Sequence, residues 1–188
     1  MKIHNLHFSF EDTTIFDGLN LEFPDGKITA VMAPSGKGKS TLLRLIAGLL
    51  TPSQGSIDTN GHSVGIMFQE PRLFGQLTVL QNVMLVIKKD KNKQVRAMEL
   101  LVAFGVADAA DKYPEELSGG MAKRVSLARA IAYNPDILLL DEPFSALDVQ
   151  TREEVMRKTR QLLAAKTVIL VTHDQSEAQS FADHTVTL

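Results

Sequence analysis

The chain has 188 residues, of which 44% are hydrophobic and 22% charged, with a formal net charge of −2 and no cysteine. This length predicts one domain, or one domain with an insert, and the charge argues against a large nucleic-acid contact surface. The lack of cysteine excludes disulfides and thiolate metal sites. The first residues contain no apolar run typical of a signal peptide, and no stretch reaches the roughly 18 apolar residues of a membrane helix. We therefore expect a cytosolic protein.

The first third of the chain predicts strands followed by a helix. Apolar and polar residues alternate over residues 6–10 and 19–23, which is typical of half-buried strands. Residues 28–32 form an apolar strand pattern, and residues 40–50 have helical spacing that ends before Pro52. The polarity pattern therefore places a glycine-rich loop, residues 33–39, between a strand and a helix.

The middle of the chain predicts a short strand and then a helical insert. Residues 64–68 have the strand pattern, whereas residues 71–117 carry two apolar series at helical spacing, with Gly105 as a C-terminal cap. These series are Leu80, Val83, Met84 and Ile87, and then Val95, Met98, Leu101 and Val102. The basic run 88–93 between them is read as a solvated loop, with contact to a partner as the alternative.

The last third alternates helices and buried strands. A helix is predicted from residue 121 to Asn134, a strand over 137–140, a helix over 153–165 and a strand over 167–171, and Asp174 to Glu177 begin a final helix. This alternation predicts an α/β fold with a mostly parallel sheet, to which the N-terminal strands add an antiparallel part.

The loop between the third strand and the first helix has the pattern of a phosphate-binding loop. Backbone amides at a helix start surround phosphate oxygens, Lys39 would reach the β- and γ-phosphates, and the Ser40 hydroxyl would bind Mg²⁺. Ala33 stands where such loops usually begin with glycine, which costs little unless its backbone is left-handed, in which case the cost is about 1–2 kcal/mol. The candidate residues are Ala33, Pro34, Ser35, Gly36, Lys37, Gly38, Lys39, Ser40 and Thr41.

A pair of acidic residues follows the strand predicted over 137–140. Ligands of open parallel sheets gather beyond the carboxyl ends of the strands. If this strand neighbours the strand before the loop, Asp141 faces the same Mg²⁺ as Ser40, and Glu142 could accept a proton from an attacking water. The alternative is a pair of solvated carboxylates, which is less favoured beside a phosphate-binding loop.

Together with these features, further motifs make the chain resemble the ATP-binding subunits of ABC transporters over nearly its whole length. They are a signature-like Leu117-Ser118-Gly119-Gly120-Met121, Gln69 of a glutamine loop, Ser145 to Asp148 beyond the catalytic glutamate, the switch-like His173, and Phe10 at the adenine position. The resemblance implies a P-loop NTPase core, 1–68 and 118–188, and a helical subdomain, 69–117.

The resemblance also implies roles for these residues, with ATP and Mg²⁺ as cofactors. Gln69 would contact Mg²⁺ or water, and His173 would donate to the γ-phosphate and orient Glu142. Phe10 would stack on adenine, unless it is an ordinary core aromatic. Ser118 and Gly120 would bind the γ-phosphate of ATP held by a second copy, and Gly119 and Asp148 are further candidate nucleotide contacts.

As a function, the resemblance implies the motor subunit of a transporter, with import favoured over export. Its partners would be a second ATP-binding subunit, forming a homodimer, membrane permease subunits and an extracytoplasmic solute-binding protein, with no nucleic acid. The subunit would sit on the cytoplasmic face of the membrane through the permease.

Three alternatives stay open: a soluble ABC-type ATPase acting on nucleic acid or ribosomes, a P-loop kinase, or an ATP-binding module that does not hydrolyse. The kinase leaves residues 118–120 unexplained. The sequence departs from the family at Ala33, at Met121, where glutamine is usual, and at the C-terminal side, where members usually extend further past the switch histidine.

Overall fold

A computed structural model describes residues 1–34, 36–88 and 90–188. Ser35 of the predicted phosphate-binding loop and Lys89 of the predicted basic loop lie outside the described residues. The strands are β1 Lys2–Phe10, β2 Thr13–Glu22, β3 Ile28–Met32, β4 Gln54–Asp58, β5 Val64–Met67, β6 Ile137–Asp141, β7 Thr167–Thr172 and β8 His184–Thr187. The α-helices are α1 Lys39–Ile46, α2 Val79–Met84, α3 Lys93–Ala103, α4 Gly119–Ala132, α5 Val149–Leu162 and α6 Gln175–Phe181.

The described residues divide into two compact units. The first comprises Met1–Ile66, Pro135–Asp141 and Ala165–Leu188, and the second comprises Met67–Asn134 and Glu142–Ala164. The second unit groups α4 and α5 with α2 and α3. The subdomain boundaries 69–117 inferred from the resemblance are not addressed by this division and stay a prediction.

In the first unit, the N-terminal strands form an antiparallel sheet of order β2-β1-β4. Ile3 of β1 lies opposite Leu21 on one side and Ile57 on the other. Strand β4 was missed by the sequence pattern because most of its residues are exposed and only Ile57 is apolar. An edge strand with few buried side chains lacks the alternation by which strands are recognised.

The second sheet has the order β5-β6-β7-β3-β8, and β6, β7, β3 and β8 run parallel. Strand β7 lies between β3 and β6, so the premise that the strand of Asp141 neighbours the strand of the phosphate-binding loop is wrong. Parallel strands are joined by long crossovers, and chain order therefore does not set their order in the sheet. Helix α1, which follows the loop, nevertheless packs against β6.

Helix α1 packs its apolar face into the core of the first unit. Its buried residues are Leu42, Leu43, Leu45 and Ile46, which cluster with Phe8 and Phe16 of the antiparallel sheet and with Val31, Leu139, Ile169 and Val171 of the parallel one. The helix ends at Ile46 rather than at the predicted Leu50. Gly48 takes a φ of 70°, which glycine adopts without steric cost, and thereby stops the helix.

In the second unit, α2, α3 and α4 pack against one another. The buried face of α3 consists of Ala97, Leu100 and Leu101, whereas Val95 and Val102 are 57% and 63% exposed. Two members of the predicted apolar series therefore face solvent. Lys88 and residues 90–93 are exposed, in keeping with a solvated loop. Within the described ranges, no helix combines the length and apolar character needed to cross a bilayer.

Candidate functional site

The start of α1 has the backbone geometry of a phosphate-binding loop. Gly38 is the N-cap of the helix with a φ of 82°, and Gly36 has a φ of 80°. A Cβ atom on Gly38 would lie 2.5 Å from Cγ2 of Ile15 and 3.0 Å from the ring of Phe16. Only glycine fits there, because both the left-handed backbone and the close approach of β2 exclude a side chain.

Lys39 lies over this loop and is 8% exposed. Its Nζ donates to the carbonyl oxygens of Ala33, at 2.6 Å, and Pro34, at 3.1 Å. An anionic phosphate oxygen makes a stronger partner for an ammonium group than a neutral carbonyl does. Ala33 is not among the non-glycine residues with positive φ. The missing glycine therefore falls where alanine costs little, which was the more favourable of the two expectations.

The carboxyl ends of three parallel strands bring further predicted residues to the same edge of the sheet. Met32 of β3 is paired with Thr172 of β7, and Val171 is paired with Asp141 of β6. The phosphate-binding loop therefore follows β3, and the exposed His173 follows the adjacent strand β7. Asp141, which is 5% exposed, ends β6 on the other side of β7.

Phe10 lies at the end of β1 and is 44% exposed. Its ring meets that of Phe8 edge to face, with centroids 4.8 Å apart. The alternative that Phe10 is a core aromatic is therefore wrong, since nearly half of the residue faces solvent. Such an exposed ring offers a face on which a planar base can stack.

In the second unit, the glutamine and glutamate of the predicted catalytic set are in contact. Nε2 of Gln69 donates to Oε2 of Glu142 at 3.3 Å. Glu142 has a φ of 46°, in the left-handed region that a glutamate rarely occupies. Its carbonyl accepts a hydrogen bond from Oγ of Ser145 at 2.9 Å, which helps to hold this conformation. Strain of this kind recurs at functional sites.

The signature-like residues lie at the start of α4, a 14-residue helix, and Ser118 and Gly119 among them are exposed. Ser118 is its N-cap, and the Ser118 Oγ accepts the Met121 amide at 3.2 Å, which leaves the hydroxyl proton for another acceptor. Gly119 and Gly120 are the first residues of the helix. A Cβ atom on Gly120 would lie 3.2 Å from the carbonyl oxygen of Ala146, in the loop after Glu142.

Asp148 closes that loop as the N-cap of α5. Its Oδ1 accepts the Thr151 amide at 3.0 Å, and this hydrogen bond lowers the pKa of the carboxyl group. This cap orients the loop between Glu142 and α5, and the contact of Asp148 with a nucleotide stays a prediction.

Sequence reasoning missed three residues that hold the segment after Gln69. Lys123 of α4 is 4% exposed and donates to the carbonyl oxygen of Gln69. Arg129 donates to the carbonyl oxygens of Pro71 and Arg72, and burial lowers its pKa. The buried Asn82 bonds both the amide and the carbonyl of Phe74. The available signal was the presence of these polar side chains on helices whose buried residues are mostly apolar.

The residues at this edge suit Mg²⁺ bound together with phosphate. Among the described residues, no cluster of three or more His, Cys, Asp or Glu side chains could hold a metal by itself. Mg²⁺ usually takes one or two carboxylates, waters and substrate phosphates rather than a cage made only of protein ligands. A carboxylate at Asp141 and a hydroxyl at Ser40 are the hard oxygen ligands that such a shared site needs.

Comparison with known proteins agrees with these features. The family model described as "ABC transporter" matches residues 16–145. The chain is 44% identical to the sulfate/thiosulfate import ATP-binding protein CysA of Synechocystis, over 99% of this chain and 57% of that protein. It is also 44% identical to the aliphatic sulfonates import ATP-binding protein SsuB 1 of Mesorhizobium japonicum, over 95% of this chain and 71% of that protein. The chain thus spans little more than half the length of the first relative.

Solved structures of the same fold cover the whole chain. A dimeric, post-hydrolysis ATP-binding cassette, MJ0796 bound to ADP and Pi, superposes with a TM-score of 0.87 at 32% identity, over 100% of this chain and 93% of that one. A second dimeric structure of MJ0796, described as a bacterial ABC transporter cassette, gives a TM-score of 0.88 at the same identity and coverage. The fold class predicted from the sequence is thereby confirmed.

Proposed function

Because the chain belongs to the ABC transporter family, we propose that it binds ATP with Mg²⁺ and hydrolyses it as the ATP-binding subunit of a membrane transporter. The observation that carries this proposal is the loop before α1. Its glycines hold left-handed backbone conformations, and Lys39 folds over it onto neutral carbonyls. A triphosphate on the amides from Gly36 to Thr41 would draw the Lys39 ammonium to its β- and γ-oxygens.

In this proposal, Ser40, Asp141 and Gln69 contribute to Mg²⁺ binding, with phosphate oxygens completing the shell. When bound, Mg²⁺ neutralises charge that develops on the β- and γ-phosphates. Asp141 ends a buried strand and is itself 5% exposed, so its carboxylate is held on a rigid element. Pro34, Ser35 and Lys37 complete the loop, and Phe10 stacks on the adenine ring.

Catalysis is assigned to Glu142, Gln69 and His173. Glu142 accepts the proton of the attacking water, and Gln69 holds the carboxylate through the hydrogen bond described above. His173 donates to the γ-phosphate as negative charge shifts in the transition state. These assignments follow from positions that match the family motifs and from the Gln69–Glu142 contact.

The active form is proposed to be a homodimer. Ser118, Gly119 and Gly120 form a helix start at which Ser118 and Gly119 are exposed, and such a start carries unpaired amides and partial positive charge. In the dimer these groups would bind the γ-phosphate of ATP held by the second copy, and Asp148 would orient the adjoining loop. Dimeric ATP-binding cassettes of the same fold support this arrangement.

The transporter partners follow from the relatives. Two relatives are named as import ATP-binding proteins, which favours import. We infer permease subunits in the membrane, an extracytoplasmic solute-binding protein, and a position on the cytoplasmic face. The helical subdomain, 69–117, would receive the permease, with the anchored segment from Gln69 to Phe74 in contact with it. No nucleic-acid partner is proposed.

Calorimetric titration of the full chain with magnesium-ATP tests the proposal. We expect saturable binding that is weaker in the Lys39→Ala variant, and release of phosphate when the parent is incubated with magnesium-ATP. A folded protein that takes up no nucleotide would refute the phosphate-binding assignment. Binding without phosphate release, even with permease present, would instead favour the non-hydrolysing module. Salt-sensitive binding of nucleic acid would revive the soluble ATPase alternative.

A further inference from the structure

The loop that carries His173 is held on both sides by one buried hydroxyl group. Thr172, the last residue of β7, is 1% exposed. Its Oγ1 donates to Oε2 of Glu177 at 2.7 Å and accepts the amide hydrogen of Asp174 at 3.0 Å. His173 is the single residue between Thr172 and Asp174, so the side chain before it is hydrogen-bonded to the backbone amide after it.

Glu177 ties this hydroxyl to the helix that follows the loop. It lies in the first turn of α6 and is 4% exposed, a low exposure for a carboxylate. Its amide and that of Ser176 donate to Oδ1 of Asp174, at 3.3 Å and 2.8 Å, as the cap of the helix. The strand end and the helix start are therefore joined both through Asp174 and through the Thr172–Glu177 pair.

We propose that Thr172 and Glu177 are positioning residues that set the place of His173 at the nucleotide. This inference rests on the proposed function, in which His173 donates to the γ-phosphate. A threonine hydroxyl has one proton and two lone pairs. Because the proton is directed to Glu177, a lone pair is oriented to the Asp174 amide, and the backbone around His173 has little freedom. Catalytic groups have to be held within about 0.5 Å of their working position, and the two hydrogen bonds of the Thr172 hydroxyl supply this restraint.

The alternative is that the pair only stabilises the fold, and the chain provides a matched control for it. Thr29 lies in β3 of the same sheet and is also 1% exposed. Its hydroxyl has no hydrogen-bond partner among the described residues. Replacing each threonine by the isosteric valine removes a buried hydroxyl from neighbouring strands, but only the Thr172 change releases the His173 loop.

The first test compares turnover and ATP affinity. Thr172→Val should lower turnover at saturating magnesium-ATP about tenfold or more, since small displacements of a catalytic group are costly. ATP affinity should stay close to that of the parent. Thr172→Ser should restore most of the turnover, Glu177→Gln should keep part of it because an amide oxygen still accepts the hydroxyl proton, and Thr29→Val should match the parent. Equal turnover of Thr172→Val and Thr29→Val would overturn the proposal.

A double-variant cycle separates this inference from the proposed function. His173→Ala alone tests the role of the histidine, and parent-like turnover there would refute that part of the proposed function. If Thr172 acts through His173, then Thr172→Val should slow the parent but not the His173→Ala variant. Should Thr172→Val slow both by the same factor, Thr172 acts by another route and the proposal fails.

A measurement without turnover covers the case in which a variant folds poorly. In the nucleotide-free protein, the His173 ring signal in a proton–carbon NMR spectrum is assigned from its loss in His173→Ala. We expect Thr172→Val and Glu177→Ala to shift or broaden this signal, and Thr172→Ser and Thr29→Val to leave it in place. An unchanged signal in a folded Thr172→Val protein would contradict the positioning role.

Discussion

Gln69 binds Glu142 through its side chain, with Nε2 3.3 Å from Oε2, and accepts a hydrogen bond from Lys123 through its carbonyl group. One glutamine therefore connects the buried lysine of α4 to the carboxylate proposed as the general base. The hydrogen bond holds one carboxylate oxygen, and the left-handed backbone of Glu142 directs the side chain. Both the hydrogen bond and the backbone therefore constrain the carboxylate of Glu142.

The Glu142→Gln variant should bind ATP with the parent's affinity and lose most of its turnover. The amide keeps the shape of the side chain but accepts no proton from water, and general-base catalysis contributes about 10²–10⁴-fold. Phosphate release and size-exclusion chromatography in magnesium-ATP check this, with an ATP-bound dimer as the expected species. Glu154→Gln, on the exposed face of α5, is the control. Parent-like turnover of Glu142→Gln would show that another group is the base.

Replacing Lys123 by methionine should lower turnover about tenfold while ATP affinity is retained. Methionine preserves the buried stem but removes the donor that fixes the Gln69 carbonyl, so the amide loses its alignment on Glu142. Lys166→Met is a suitable control, because Lys166 also donates to a backbone carbonyl, that of Pro135 just before β6. We expect that control to lower the melting temperature only. Additive losses in Lys123→Met and Gln69→Ala would contradict the link through Gln69.

The Lys39→Ala variant should bind ATP about 10- to 150-fold more weakly, as measured by titration calorimetry. Hydrogen bonds to charged groups contribute about 1.5–3 kcal/mol, and a tenfold change in affinity corresponds to about 1.4 kcal/mol. Lys27→Ala, which removes an exposed lysine before β3, should leave binding unchanged. Equal affinities of the two variants would mean that the ammonium of Lys39 does not reach the phosphates.

At each end of the phosphate-binding loop, the residue present should be more stabilising than its exchange, glycine at position 38 and alanine at position 33. Gly38→Ala should destabilise the protein by about 1–2 kcal/mol from the left-handed backbone, with a further loss from the clash with Ile15. Ala33→Gly should cost about 0.4–1 kcal/mol through the greater freedom of the unfolded chain and leave ATP affinity unchanged. Chemical denaturation and calorimetry measure both quantities. Tighter ATP binding by Ala33→Gly would show that the alanine impairs the loop.

Asp136 should contribute to stability at neutral pH and lose that contribution in acid. Hydrogen bonds from the Ser63 hydroxyl and amide lower its pKa in the folded protein. A lowered folded pKa means that the contribution is present above the unfolded value, about 3.9, and is lost as pH falls through the folded pKa. The melting temperature of Asp136→Asn should therefore fall less between pH 7 and pH 3 than that of the parent or of Asp108→Asn. Identical pH profiles would refute this.

The local pattern of the sequence was sufficient for most elements and for the choice of candidate residues. The predicted strand over 28–32 agrees with β3, and Asp174 caps α6 as expected, because both depend on neighbours in the chain. Strands β4 and β8 were missed because they depend on residues far away in the chain rather than on their neighbours. They are short and mostly exposed, and they pair with distant strands, so little in their own sequence marks them.

By itself, the sequence determined that a phosphate-binding loop, an acidic strand end and a signature-like helix start exist, since each is defined by residues close together in the chain. Only the tertiary structure decided the order β6-β7-β3, the contact of Gln69 with Glu142 and the burial of Lys123 and Thr172. Those relations join residues far apart in the chain. They depend on how crossovers and buried faces pack, and side-chain spacing along the sequence does not record this.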